Sequence, residues 1–301
     1  FIRFLLHERP YIVHGNTPKA SMLSMLASKL VGVPKRIYMC HGLRYQGSKG
    51  IMRRMLMGFE KFSCKCATKV ICVSYGVQRT LVSDGICPAR KTVVVGFGSA
   101  NGINIEWYNP HNVVTTVRRD LKINKDDFVF IYVGRVVRDK GINELIGAFQ
   151  RIDNKKVHLV LVGKEENDLN PISNETRLAI ENNIYIHAVG RKTDVRPYIL
   201  ASNALVLPSY REGFGMVLLE ANALGVPCIS TDIIGCNEII NPGVNGDLIP
   251  PKDENALFNK MKEWVDNPER VQFMASHTRN IVAERYDQKK VREALLKEYM
   301  S

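Results

Sequence analysis

Two glutamates flank a Gly-Phe-Gly turn in a stretch that otherwise has the composition of a buried helix, REGFGMVLLEANALGVP. Glu212 precedes the turn and Glu220 follows it. A charge in such a run costs free energy unless a partner satisfies it. Gly213 and Gly215 would let the backbone approach a ligand, and a helix that begins near Met216 would direct its free amides to the same place.

The spacing of the two glutamates favours two binding roles. On a helix from Met216, Glu220 shares a face with Ala223 and Leu224. A carboxylate there needs donors, and a ribose diol supplies two hydroxyls; a buried arginine or a backbone donor is the alternative. Glu212 would face sugar hydroxyls or the reacting centre. A hydrolytic acid–base pair fits less well, because eight helical residues span about 12 Å, whereas glycoside hydrolases use roughly 5 to 9.5 Å.

A second group of residues could bind an anion. A buried strand ends at Gly134, Arg135 and Lys140 follow in a short loop, and Gly141 opens a helix. Amides at a helix start beside two cations suit a phosphate group; the alternative is a turn with solvated charges. The sequence has no P-loop pattern, and TVVVGFGSANG has its third glycine displaced from the dinucleotide spacing. A P-loop NTPase and a nicotinamide site are therefore disfavoured.

Apolar strand-like runs alternate with amphipathic segments, which predicts α/β architecture with parallel sheets covered by helices on both faces. The predicted strands are residues 11–14, 36–41, 69–74, 92–98, 128–134, 158–163, 184–190, 204–209, 227–231 and 246–250. Ligands of such folds bind outside the carboxyl ends of the strands.

A chain of 301 residues suits two domains. Residues 99–125 lack apolar periodicity, which predicts an interdomain linker. We predict a first domain over residues 1–110, a second over 111–282 and a C-terminal helix over 283–301, with helices from residues 255 to 265 and from 268 to the end acting as packing elements.

The excess of positive charge is confined to the first third of the chain. Residues 1–112 contain 16 Lys and Arg against 4 Asp and Glu, whereas residues 113–301 contain 26 of each. This concentration of positive charge indicates a membrane surface, a phosphorylated lipid or nucleic acid as the partner. The alternative is a charged face that only keeps the protein in solution. The seven cysteines form no C-x-x-C motif and lie mostly in apolar runs, which predicts buried, reduced thiols.

Several motifs together resemble retaining glycosyltransferases of family 4, which have the GT-B fold. They are VGRVVRDKG, HAVG, LPSYREGFGMVLLEANALGVPCIST and GVNGDLIPP, and the part from IVHGNTPKA to CHGLRY resembles the bacterial branch that builds capsule, O-antigen and other lipid-linked glycans. The resemblance covers nearly the whole chain. It implies two Rossmann-like doubly wound lobes with a cleft between them.

The resemblance also implies roles for individual residues. Arg135 and Lys140 would hold the donor diphosphate, Glu220 the ribose, and Gly190 with Arg191 would lie where the base is read. The donor sugar and phosphate would be held by the loop with its flanking residues, namely Glu212, Gly213, Phe214, Gly215 and Met216, beside the strand-ending Gly134.

Four residues of the first lobe are implied on the acceptor side or near the reaction. His41 matches the family histidine near the sugar and the leaving phosphate, although a histidine at a strand end can be purely structural. His14, Thr17 and Lys19 would line the acceptor side of the cleft. The family's first strand and its glycine-rich loop should precede Phe1. We therefore expect an N-terminally truncated fragment with an incomplete first lobe, weak donor binding and low or no activity.

The segment KGIMRRMLMGFEKFSCKC mixes basic with large apolar residues. A basic amphipathic helix of this kind can lie on an anionic membrane; packing of its apolar face into the lobe is the alternative. We find no recognition motif for nucleic acid.

The sequence therefore predicts a metal-independent, retaining enzyme without a cofactor, peripheral to the cytoplasmic face of the plasma membrane. It would move a sugar from a nucleotide-diphosphate donor, a UDP-sugar by expectation, to a polyprenyl-diphosphate-linked saccharide. A non-catalytic GT-B binding relative and a nucleotide-sugar epimerase are the alternatives.

Overall fold

The computed structural model describes residues 1–166 and 170–301, which form two compact units. The first contains Phe1–Gly102 together with Gln288–Ser301, and the second contains Ile103–Asp287. The sequence had placed boundaries at residues 110 and 282 and set residues 283–301 apart as a separate helix. The difference has a packing reason, since Ile103 is buried in the core of the second unit and the chain end contacts residues of the first.

The part of the first unit before Gly102 alternates helices and strands. Its elements are α1 (Ile2–Glu8), β1 (Ile12–Gly15), α2 (Pro18–Leu30), β2 (Lys35–Cys40), α3 (Gly50–Cys66), β3 (Lys69–Cys72), α4 (Tyr75–Ser83) and β4 (Thr92–Val94). The strands form one parallel sheet in the order β1-β2-β3-β4. Pro18 begins α2, where its missing N–H would have had no helical partner, and Ser74 caps α4 by accepting the amide of Val77.

The second unit has a larger sheet and more helices. Its elements are α5 (Val117–Asp120), β5 (Phe128–Val133), α6 (Ile142–Gln150), β6 (Val157–Val162), α7 (Asn174–Asn182), β7 (Ile186–Gly190), α8 (Arg196–Leu200), β8 (Ala204–Leu207), α9 (Met216–Ala223), β9 (Cys228–Thr231), β10 (Gly246–Ile249), α10 (Glu254–Asp266) and α11 (Pro268–Tyr286). The six strands are parallel in the order β10-β9-β8-β5-β6-β7. β6 is buried along its whole length, as expected for a strand covered on both faces.

Each of the ten predicted strands is present, with shifted ends. The largest difference is at β4, which ends at Val94 rather than at Gly98. Gly96 and Gly98 have φ angles of +58° and +99° there, and this left-handed backbone turns the chain out of the sheet.

Two predictions about helices and linkers need correction. The helix expected from residue 268 to the chain end is two helices, because the carbonyl of Tyr286 accepts the amide of Ile103 at 2.8 Å and Asp287 is extended. The last helix, α12 (Gln288–Met300), follows this break. The predicted linker also belongs in part to the second unit, where the guanidinium of Arg118 donates to the carbonyls of Ala201 and Asp127.

All seven cysteines are unpaired and buried, as the composition of their runs predicts. Within the described residues, no group of three or more His, Cys, Asp or Glu side chains is placed to hold a metal ion. The same residues contain no helix with both the length and the apolar character needed to cross a bilayer.

Candidate active site

The predicted donor-side residues lie at one edge of the larger sheet. Gly134 and Arg135 directly follow β5, Gly190 and Arg191 end or follow β7, and residues 209–215 follow β8. All three strands are parallel in one sheet, so their carboxyl ends meet at the same edge, where doubly wound folds bind ligands.

Lys140 and Glu212 form an ion pair at the centre of this edge. The ammonium nitrogen lies 2.5 Å from Oε1 of the carboxylate, and the two side chains are only 19% and 15% exposed. The hydroxyl of Ser209 donates to the same oxygen at 2.8 Å. The arrangement places a cation and an acceptor together in a poorly solvated position, where charges interact more strongly than at a surface.

A glycine makes this approach possible. Lys140 ends a short 3-10 turn, and Gly141 has a φ of +72° between that turn and α6. A Cβ at this position would lie 2.1 Å from the carbonyl oxygen of Pro208. Any other residue would therefore push the lysine loop away from the loop that carries Glu212.

Arg135 is also paired, but more loosely. Its Nη1 lies 3.0 Å from Oε2 of Glu166, with side chains 51% and 37% exposed. The hydrogen bond to Glu166 raises the pKa of the guanidinium, and the backbone carbonyl of Arg135 accepts the hydroxyl of Tyr132 at 2.6 Å. The alternative of a turn with solvated charges does not hold for these two cations, because Arg135 and Lys140 both have acidic partners. Whether they bind a phosphate stays a prediction.

The Gly-Phe-Gly loop is held by its neighbours rather than left with free amides. The amide of Gly215 donates to the carbonyl of Gly235 at 3.2 Å, and the amide of Met216 donates to the carbonyl of Phe214 at 2.8 Å. A Cβ on Gly235 would lie 2.4 Å from the carbonyl oxygen of Gly213. The expectation that the amides at the start of α9 are all free is wrong for Gly215 and Met216.

The side chain of Phe214 is used for packing. Its ring lies edge-to-face on Tyr286, with centroids 5.7 Å apart, and it packs against the core of the second unit. A contribution of Phe214 to ligand binding would therefore come from its backbone.

Glu220 is on α9 and accepts a hydrogen bond from the side chain of Tyr108. Burial raises the pKa of Glu220 to about 6, and the hydrogen bond from Tyr108 opposes that rise. The partner that the structure gives this carboxylate is thus a tyrosine, Tyr108, from the segment predicted to be a linker.

Gly190 and Arg191 mark the end of β7. Gly190 has a φ of +69° with open space where a Cβ would be, and its carbonyl accepts the amide of Gly163 at 3.0 Å. Arg191 is exposed. The two residues are therefore on the same sheet edge as Glu212, with an accessible surface.

In the first unit, His14 on β1 and His41 directly after β2 lie close enough to interact electrostatically. Nδ1 of His14 is hydrogen-bonded to the hydroxyl of Tyr299 on α12, and Nε2 of His14 is buried with no partner among the described residues. Burial lowers the pKa of both histidines, and His41 lowers that of His14 further. Both rings are therefore biased to the neutral form.

The other two predicted acceptor-side residues begin α2. Thr17 is the residue before the helix, and its hydroxyl makes no capping bond. Lys19 is exposed in the first turn and lines a cavity with Arg44 from the turn after β2. His14, Thr17 and Lys19 thus follow one another across the end of β1 and the start of α2.

The chain matches two families of known proteins. Residues 113–281, more than half of the chain, match the family described as Glycosyl transferases group 1. The protein belongs to this family. Residues 1–106 match a second description, Glycosyltransferase Family 4. The chain is therefore a glycosyltransferase over both of its units.

Similar proteins agree with this assignment. The capsular polysaccharide biosynthesis glycosyltransferase CapM of Staphylococcus aureus is 34% identical over 262 residues, which cover 86% of this chain and 68% of that protein. An Escherichia coli enzyme named UDP-Gal:alpha-D-GlcNAc-diphosphoundecaprenol alpha-1,3-galactosyltransferase is 27% identical over 273 residues, covering 88% of this chain and 69% of that enzyme.

The fold of this glycosyltransferase is also found in solved structures. Anabaena HepE, crystallised in complex with UDP, superposes with a TM-score of 0.86 at 20% identity and covers 99% of this chain and 81% of its own. A sucrose-phosphate synthase from Thermosynechococcus elongatus superposes with a TM-score of 0.81 at 24% identity, covering 99% of this chain and 75% of its own. The two Rossmann-like units are those of the GT-B fold.

Three residues of the glycosyltransferase site were not found from the sequence. Glu166 follows a strand-ending glycine in GKEEN, so the same rule that selected Arg135 could have selected it. Tyr108 and Tyr299 carried no such signal, because they contact Glu220 and His14 across 112 and 285 positions of the chain. Only the tertiary fold brings these pairs together.

Proposed function

We propose that this glycosyltransferase moves a sugar from a UDP-sugar to a polyprenyl-diphosphate-linked saccharide, with retention at the anomeric carbon and without a metal ion or cofactor. The observation that carries the donor half is the Lys140–Glu212 pair, which lies beside the Gly-Phe-Gly loop that leads into α9 and Glu220. The relatives named above support the acceptor half, since one is named for a galactosyltransferase that acts on a diphosphoundecaprenol-linked sugar.

In this proposal the second unit binds the donor. Arg135 and Lys140 bind the diphosphate, and Glu220 accepts the ribose hydroxyls. Arg135 can leave Glu166 readily, because that pair is half exposed and such pairs contribute little. Lys140 keeps Glu212 as a neighbour, so that Glu212 is fixed where it can accept hydroxyls of the donor sugar.

The cations would act mainly in the transition state. The bond from the sugar to the diphosphate breaks with negative charge growing on the leaving oxygen, and fixed cations stabilise that charge more than they stabilise the bound substrate. Two side-chain cations can supply this stabilisation without a metal, which is the basis for proposing metal independence.

The donor site can be tested by thermal shift with UDP-, GDP- and ADP-sugars. We expect a UDP-sugar to raise the melting temperature of the wild type and to lose this effect in Glu220→Ala. Glu181→Ala, an exposed glutamate on α7 of the same unit, is the matched control and should respond like the wild type. No stabilisation of the wild type by any nucleotide sugar, or an equal response of Glu220→Ala, would contradict the proposed donor site.

Product analysis tests the reaction. With an α-linked donor and a polyprenyl-diphosphate disaccharide acceptor, retention predicts an α-linked product by NMR. Activity should survive a chelator; loss in EDTA with recovery on adding Mg²⁺ would overturn metal independence. A new sugar formed from the donor in the absence of acceptor would indicate an epimerase instead.

The membrane part of the proposal rests on α3. Its large apolar residues Met52, Met55, Phe59 and Phe62 are between 40% and 53% exposed, so the first unit leaves about half of their surface uncovered. Basic residues share the helix, namely Arg53, Arg54, Lys61 and Lys65. A helix that combines both features binds anionic membrane surfaces, and we propose that the enzyme works at the cytoplasmic face of the plasma membrane.

Vesicle sedimentation tests this surface. The protein should bind phosphatidylglycerol vesicles more tightly than phosphatidylcholine vesicles, and salt should weaken the binding. Arg54→Glu with Lys61→Glu should lose most of it, whereas Lys125→Glu with Lys262→Glu in the second unit should keep it. Tighter binding to duplex DNA than to vesicles would favour a nucleic-acid partner and contradict the membrane proposal.

A further inference from the structure

A cavity in the first unit is not explained by the donor site. It has a volume of about 370 Å³ and lies between the start of α2, the turn after β2 and α3. Met22, Tyr45, Leu56 and Phe59 line it. This volume falls within the range of sites for small organic ligands, and the lining calls for an apolar occupant.

The cavity also has a charged border. Lys19 in the first turn of α2 and Arg44 in the turn after β2 both line it, and both residues are exposed. The first amides of α2, a helix of 13 residues, add a partial positive charge at the same end. Two cations beside an apolar space fit a ligand that has an anionic head and a hydrocarbon tail.

Glu60 is the acidic residue among the described residues of the lining. Its Oε1 accepts the hydroxyl of Tyr38 and the thiol of Cys40, and burial raises the pKa of the carboxyl. The bonds draw this group toward the protein interior, and the raised pKa reduces the repulsion that it would exert on a phosphate.

The cavity is continuous with the apolar surface of α3. Phe59 lines it and is also 47% exposed on the outer face of the helix. Met55 and Phe62, one turn before and one turn after it on the same helix, are exposed as well. A tail that left the cavity beside Phe59 would meet the surface proposed above to face the membrane.

We propose that this cavity binds the first isoprene units of the polyprenyl diphosphate acceptor, with the diphosphate between Lys19 and Arg44. This inference rests on the proposed function for the identity of the acceptor. In this proposal the lipid is recognised separately from the saccharide. Lys19 and Arg44 bind its diphosphate, and the lining residues Met22 and Leu56 contact its isoprene units.

Titration calorimetry with farnesyl diphosphate tests the site. Inorganic diphosphate and farnesol are the other two ligands. We expect farnesyl diphosphate to bind the wild type at least tenfold more tightly than either. Met22→Trp fills the cavity from α2 and Leu56→Trp fills it from α3; each should weaken binding of farnesyl diphosphate at least tenfold and leave inorganic diphosphate unchanged.

The control is the neighbouring substitution Leu23→Trp, at an exposed position outside the lining. It should bind farnesyl diphosphate like the wild type. Lys19→Ala should weaken farnesyl diphosphate and leave farnesol unchanged. A variant that still gains thermal stability from a UDP-sugar has an intact second unit, and circular dichroism with an unchanged unfolding midpoint shows that the first unit is folded.

Three results would overturn the inference. Farnesyl diphosphate could bind no more tightly than inorganic diphosphate, both filled-cavity variants could bind it normally, or dihexanoyl phosphatidylglycerol could compete for it with equal affinity, which would indicate a general lipid site. A different result would contradict the proposed function: the UDP-sugar would not stabilise the wild type. Binding of farnesyl diphosphate could remain in that case.

Discussion

Lys140 and Glu212, separated by 72 positions of the chain, meet at 2.5 Å in a site where both side chains are mostly buried. The sequence suggested a separate role for each residue, one toward a phosphate and one toward a sugar. The contact shows that neither has its position independently of the other, because each is the other's charged partner and Ser209 shares the same carboxylate oxygen.

Removing both members of this pair should cost less than the two single removals added together. Lys140→Ala leaves Glu212 without its cation, and Glu212→Ala leaves the ammonium without its carboxylate, so we expect each to lower the free energy of unfolding by about 1 to 3 kcal/mol. The double variant should be less destabilised than the sum of the two. Urea unfolding of the four proteins measures the coupling.

An exposed pair in the same unit provides the control. Lys262 and Asp266 are also 2.5 Å apart, but both are more than half exposed on α10. Lys262→Ala should change stability by less than about 0.5 kcal/mol. An equal effect of Lys140→Ala and Lys262→Ala would show that burial gives the site pair no special strength.

Glu220 should make nucleotide binding dependent on pH. Burial raises its pKa to about 6, and ribose hydroxyls donate best to the ionised carboxylate. Affinity for UDP, measured by calorimetry, should therefore fall as the pH is lowered from 7.5 to 5, with a midpoint near 6. Glu220→Gln should bind at least tenfold more weakly at pH 7.5 and lose this dependence; an unchanged pH profile in the variant would exclude Glu220 as its cause.

The raised pKa of Glu220 also makes the free energy of unfolding depend on pH. Because the carboxyl binds its proton more tightly in the folded than in the unfolded protein, its contribution is fully present at low pH and is lost as the pH rises from about 4.5 to about 6. At pH 7.5, Glu220→Gln should therefore be at least as stable as the wild type even though it binds nucleotide poorly.

Tyr108 should affect the pH at which the affinity for UDP falls. Its hydroxyl stabilises the ionised form of Glu220, so Tyr108→Phe should move the midpoint of UDP binding to a pH above that of the wild type. Tyr198→Phe, in the same unit, is a control for loss of a tyrosine hydroxyl. A midpoint that moved equally in both variants, or downward in Tyr108→Phe, would contradict the assigned role.

The sequence predicted the sheets well because their strands are long apolar runs. Two examples are the buried runs FVFIYV and VHLVLV. Continuous apolar runs of this length are typical of central strands in parallel sheets. The carboxyl-end rule directed attention to the residues that follow strands, such as Arg135, and the family resemblance added Gly190. The structure places both at the same edge of the larger sheet as Glu212. The predicted ends of elements were less accurate. β4 ends earlier than predicted because two glycines with left-handed backbone follow its β-branched residues.

Side-chain partners could not be predicted in the same way. Glu220 was correctly recognised as a charge in need of a donor, but the donor, Tyr108, lies in a segment with no apolar period. Periodicity reports which face of an element is buried and carries no information about an irregular segment that packs on it. The structure divides the chain before Ile103 rather than after residue 110, within the same irregular segment.

His14 and Tyr299 provide the last test. The hydroxyl of Tyr299 contacts Nδ1 of His14, and if the hydroxyl donates, the ring proton is on Nε2, the atom that has no partner among the described residues. Nitrogen-15 NMR of His14 should therefore show the Nε2–H tautomer in the wild type and a mixture in Tyr299→Phe.

The pKa of His14 lies below its usual 6.5 because of burial and because of the neighbouring His41. A histidine whose folded-state pKa is lowered stabilises the protein above its unfolded-state value, and this contribution is lost as the pH falls below about 6.5. The wild type should therefore lose stability on acidification from pH 7.5 to 5.5, and His14→Gln should lose less. Equal losses in the two proteins would show that His14 is not the group that titrates. A smaller loss in the variant would identify His14 as that group, and the tautomer shift in Tyr299→Phe would show that Tyr299 on α12 fixes which ring nitrogen holds the proton.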